Sequence, residues 1–186
     1  MTGWSTSALV LWLVLSVASV WVWLPTHRGG KTVLSRTSVL IATTAVLVVV
    51  TGVVALLGAQ APPLPTPWSW VAVGVAALAA LLIGGAVTFC MLALADATSR
   101  PGAARVQRTV LRGGAWIGAL ERLGMFASVL GGWPLGVASI VAIKAFARYP
   151  ELKSGQATGA VERFIIGTFA SLGWAAACAG IAMVLR

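Results

Sequence analysis

The sequence predicts an all-α, polytopic integral membrane bundle of about six spans, with both termini outside. Three observations carry this. Hydrophobic residues make up 59% of the chain and charged residues only 9%, against roughly 25% charged in a soluble domain. The apolar residues fall into runs long enough to cross a bilayer, which needs about 20 of them. The basic residues cluster in alternate connections between those runs, and Lys/Arg excess marks the cytoplasmic side. No polar stretch is long enough to fold alone, so residues 1–186 form a single membrane domain.

The expected spans are residues 8–24, 37–58, 69–95, 113–130, 133–148 and 164–185. The first run has no basic residues before it; its positive charges, Arg28, Lys31 and Arg36, follow it. No convincing small-x-small cleavage site follows it, so it reads as a retained span and not a signal peptide. Bulky and rich in Leu, Val and Trp, it is expected to be peripheral and lipid-facing. The fourth and fifth runs are short or charged, and either cross fully or form one helical hairpin.

Nine Trp stand against one Tyr. Trp4, Trp21, Trp23, Trp68, Trp70 and Trp133 lie at the ends of apolar runs, where aromatic belts meet the bilayer interface. The connection AQAPPLPTPW, residues 59–68, has four prolines and no charge. It reads as a stiff, extended outer cap that stops both neighbouring helices.

The net charge of +9 does not make a nucleic-acid protein. The basic residues are dispersed among the ends of apolar runs, with no aromatic-basic face. They fit an inner-side bias and attraction to anionic headgroups. Arg105, Arg108 and Arg112 recur at helical spacing in the third connection. They suit either a short helix on the inner leaflet in contact with anionic lipid or an ordinary solvated loop. Two cysteines, Cys90 and Cys178, lie deep in apolar runs, and His27 is the only histidine. That supports neither a thiol redox site nor a metal site, and no cofactor is implied.

The candidate site lies in residues 112–163, which carry ionisable groups inside or at the edges of apolar runs: Glu121, Arg122, Lys144, Arg148, Glu162 and Arg163. Charge at membrane depth is costly, and it is usually paired or functional. Glu121 lies eleven residues before Gly132 and Lys144 twelve after it. At 1.5 Å per residue both sit about 16–18 Å from the turn, so a hairpin places them at one depth. Arg122 points about 100° away from Glu121 and needs another partner or the inner headgroups. Small residues four apart, Gly114/Gly118, Gly132/Gly136 and Gly167/Ser171, offer close helix packing. A weak echo links GALERLGMFAS, residues 118–128, to GAVERFIIGTFAS, residues 159–171.

The succession RGGxxIGxLER, IKxxxR and ERFIIGTxxS over residues 112–182 resembles an uncharacterised family of bacterial multi-pass membrane proteins. The resemblance implies a membrane helical fold and points to Glu121, Arg122, Lys144, Arg148, Glu162, Arg163, Gly167, Thr168 and Ser171, without implying an activity.

The sequence holds no nucleophile elbow, metal set or phosphate loop, so no enzyme is expected. The expected role is a small bacterial inner-membrane protein, accessory or membrane-organising, touching anionic lipid and either a membrane protein partner or copies of itself. The alternative is a small transporter or channel whose polar site is Glu121, Arg122 and Lys144.

Overall fold

A computed structural model describes residues 9–10, 12–14, 16–17, 19, 33–60, 62–98, 114–153 and 160–186. Among these residues every regular element is helical. The five long helices are α1 (Val33–Gln60), α2 (Thr66–Thr98), α3 (Gly114–Leu130), α4 (Pro134–Lys153) and α5 (Ala160–Leu185). Helical residues between 9 and 17 precede them. Among the described residues two segments are long and apolar enough to cross a membrane: Thr66–Ala95, mean hydropathy 2.4, and Val161–Leu185, mean hydropathy 1.7.

Those two segments form the centre. α2 and α5 make the most extensive contact in the molecule and run antiparallel. Ala72, Ala76, Ala79 and Ala80 of α2 meet Ala175, Ala179 and Ala182 of α5 in one core, and all seven are fully buried. Small side chains allow close backbone approach, which is how membrane helices gain contact energy when lipid supplies no hydrophobic drive between them. Ala72, Ala76, Ala79, Ile83, Ala86 and Cys90 recur at alternating steps of four and three, the period that keeps one seam facing a partner helix. Beside the seam, Leu64 N–H donates to Leu185 O at 3.2 Å, and Arg186 lies 5.1 Å from the Trp70 ring. The Pro-rich connection therefore closes over the C-terminal end of α5.

The first run departs from expectation. Leu9, Trp12, Ser16 and Ser19 are buried, Trp12 and Ser16 completely, whereas Val10, Val14 and Val17 are exposed. Leu9 and Trp12 belong to the central cluster. The segment is thus not wholly lipid-facing, because its i, i+3, i+4 stripe is inserted while the valines face out.

Three hydroxyls bond within their own helices. Ser16 donates to Trp12 O at 2.7 Å, Thr51 to Leu47 O at 2.8 Å, and Thr88 to Gly84 O at 2.7 Å. This back-bonding meets the donor without a second helix. Cys90 and Cys178 are buried thiols that form no disulfide with each other, and Cys90 Sγ lies 3.0 Å from Thr44 Oγ1.

Candidate functional site

Glycine and proline build the hairpin that carries the charges. Gly132 has φ +63°. Its N–H donates to Val129 O at 3.0 Å and Trp133 N–H to Ser128 O at 2.8 Å. This is the left-handed helix stop known as a Schellman motif, and it satisfies the last carbonyls of α3. Pro134 then occupies the first position of α4, where its missing N–H costs nothing. A Cβ on Gly136 would strike Trp133 and Ser128. Gly132 shapes the turn, while Gly136 lets α4 approach Ser128 of α3 closely. Among the described residues nothing lies within 4 Å of the Gly114 Cβ position.

The hairpin register brings Glu121 and Lys144 together. Lys144 Nζ donates to Glu121 Oε2, and the two side chains are 20% and 15% exposed. Each is held part-way along its helix and shielded on one side. α4 runs beyond the expected end of the fifth span, continuing to Lys153 through Pro150. Proline leaves the Phe146 carbonyl without its helical donor, which the exposure of this end of α4 tolerates. Arg148 is exposed one turn beyond Lys144.

Arg122 takes a different course. It is buried, 9% exposed, at the junction of α2, α3 and α5. Gly84 of α2 makes its seat: a Cβ there would lie 2.6 Å from Arg122 Cδ and 3.1 Å from Trp174 Cδ1. The guanidinium runs back along α3, with Nη1 3.4 Å from a Cβ position on Gly118, the direction helical side chains favour. Gly118 thus leaves room for Arg122 and not for another helix. Nη1 donates to Ser171 Oγ at 3.4 Å, while Nε is buried with no partner. Gly167 does pack as expected, meeting Leu92 and Thr88 of α2 at 3.7–3.9 Å.

Glu162 and Arg163 are exposed at the start of α5. Glu162 stands in the first turn, where a carboxylate complements the helix N-terminus. The echo of Glu121 and Arg122 therefore does not extend to environment. Arg105, Arg108 and Arg112 lie outside the described residues. Gly84 completes the seat of Arg122, and Thr168 lies one turn before Ser171 on α5. Gly84 had one sequence signal, a Gly-Gly pair in the middle of a long apolar run. Among the described residues no cluster of His, Cys, Asp or Glu is arranged to hold a metal.

A comparison with protein families, curated proteins and solved structures finds no match to this chain.

Proposed function

We propose that the chain is a multi-pass bacterial inner-membrane protein of about six spans. It acts non-enzymatically, as an accessory or membrane-organising subunit in contact with anionic lipid. The observation that carries this reading is the polarity of the bundle combined with the closure of its centre. Arg122, Ser171, Thr51 and Thr44 turn inward, while Leu56, Trp116, Leu120, Ile143 and Phe146 turn outward. An apolar exterior of this extent suits lipid or another membrane protein, not water. The alanine seam between α2 and α5 is fully buried, which favours a packing element over a passage between those two helices.

α4 shapes the role further. It packs mainly on α3 and leaves Leu135, Ile143, Phe146 and Tyr149 largely exposed. That face would be covered by lipid or by a partner subunit.

The second reading, a small transporter or channel, is supported by the ionisable groups gathered on α3 and α4. Reconstitution separates the two. An accessory subunit gives no ion or solute flux above empty liposomes, and a photocrosslinker at Ile143 or Phe146 in native membranes yields one defined protein adduct. Flux that disappears in Glu121→Gln and Lys144→Met, with folding intact, establishes the transporter and overturns the accessory reading.

A further inference from the structure

Arg122 differs from every other buried polar group described above. Glu121 faces Lys144, and the charges of Glu121, Lys144 and Arg122 sum to +1. Glu121 acts on Arg122 as well as on Lys144, so the three groups together keep one net positive charge; Arg122 is 9% exposed and its bond to Ser171 Oγ is 3.4 Å long. That length is beyond the usual 2.7–3.2 Å for N–H···O. A buried charge without an opposite charge is strongly unfavourable.

The hydroxyls around it are also unusual. Ser16, Thr51 and Thr88 each donate to their own helix. Thr168 does not: its Oγ1 is buried without a partner. Thr168 lies one turn before Ser171 on the same face of α5. Ser171 Oγ accepts from Arg122, leaving its proton to donate elsewhere. Arg122 Nε on α3, and Thr168 Oγ1 and Ser171 Oγ one turn apart on α5, are thus three donors on two packed helices, and Glu121, Lys144 and Arg122 together carry one net positive charge. Gly84 and Gly118 give the guanidinium its space.

We infer that Arg122, Ser171 and Thr168 form an intramembrane binding site for a group carrying a single negative charge. The group is either a small free anion or the phosphodiester of an anionic lipid headgroup. Both offer one charge and accept from N–H and O–H donors. The site deepens the anionic contact proposed above and rests on that reading. A detergent assay reads it without a bilayer or partner subunit, so the site and the subunit role fail independently.

The test is the melting temperature of the full-length protein in neutral detergent. In one arm chloride replaces gluconate at constant ionic strength. In the other a short-chain phosphatidylglycerol is added against phosphatidylcholine, in gluconate. A saturable rise of a few degrees is expected in at least one arm, as for any ligand that binds only the folded state. The responding arm identifies the source of the charge. Thr168→Val keeps the shape and removes one donor, so it raises the half-saturating concentration about tenfold. Arg122→Met abolishes the rise; if that variant does not fold, Thr168→Val decides. A wild-type melting temperature flat in both arms overturns the site. So does a rise that Thr168→Val leaves unchanged.

Discussion

The α2–α5 pair and the α3–α4 hairpin solve the same problem in opposite ways. α2 and α5 hold together through size: a seam of alanines, all fully buried. α3 and α4 hold together through chemistry: a glycine turn with φ +63°, one ion pair, and the contact of Ile140 with Gly124. The first arrangement relies on many small dispersion contacts and tolerates no added volume. The second relies on a few specific groups and leaves most of α4 exposed. The two arrangements meet at Arg122, which reaches from α3 to Gly84 of α2 and Ser171 of α5.

This contrast predicts graded responses, each read as the unfolding midpoint in a mild detergent titrated with a denaturing one. Ala79→Leu or Ala179→Leu should have the largest effect, about 3 kcal/mol, because overpacking forces the two central helices apart. An unchanged midpoint would break the account of the seam. Lys144→Met should cost about 2 kcal/mol, between the ranges for exposed and buried pairs. Glu121→Leu with Lys144→Leu should recover to within about 1 kcal/mol of wild type, since it leaves no unpaired charge. Failure of that double variant to recover would show that the pair does more than hold the hairpin. Gly132→Val should cost about 1–2 kcal/mol, the penalty for a side chain in the left-handed region. Phe146→Ala should change the midpoint by under about 0.5 kcal/mol, as for exposed positions generally.

The helical class was legible in the sequence, because runs of uncharged apolar residues this long have few other solutions. The hairpin register was legible for a local reason. Gly131, Gly132, Trp133 and Pro134 fix the turn, and counting outward from it pairs Glu121 with Lys144. The identity of the core was harder to read. α2 and α5 are apolar on every side, so hydrophobic periodicity does not distinguish the buried face. The distinguishing signal was side-chain size, in the recurrence of Ala72, Ala76 and Ala79. Trp12 was hidden for a related reason: its bulk suggested a lipid-facing surface, yet it is fully buried. The seat of Arg122 was scarcely legible, the Gly-Gly pair at Gly84 and the small residue Ser171 being its only marks in the sequence. It depends on Gly84 and Ser171, from helices far apart in the chain, and helical spacing speaks only for residues on one helix.

The proposed placement of the chain across a bilayer is open to one direct measurement. Single cysteines at Pro63 and Ala104 are treated with a membrane-impermeant maleimide in intact cells and after permeabilisation. Cys90 and Cys178 stay in place because both are buried. The account predicts that Pro63→Cys labels in intact cells and Ala104→Cys only after permeabilisation. Labelling of Ala104→Cys in intact cells, with Pro63→Cys protected, would contradict it.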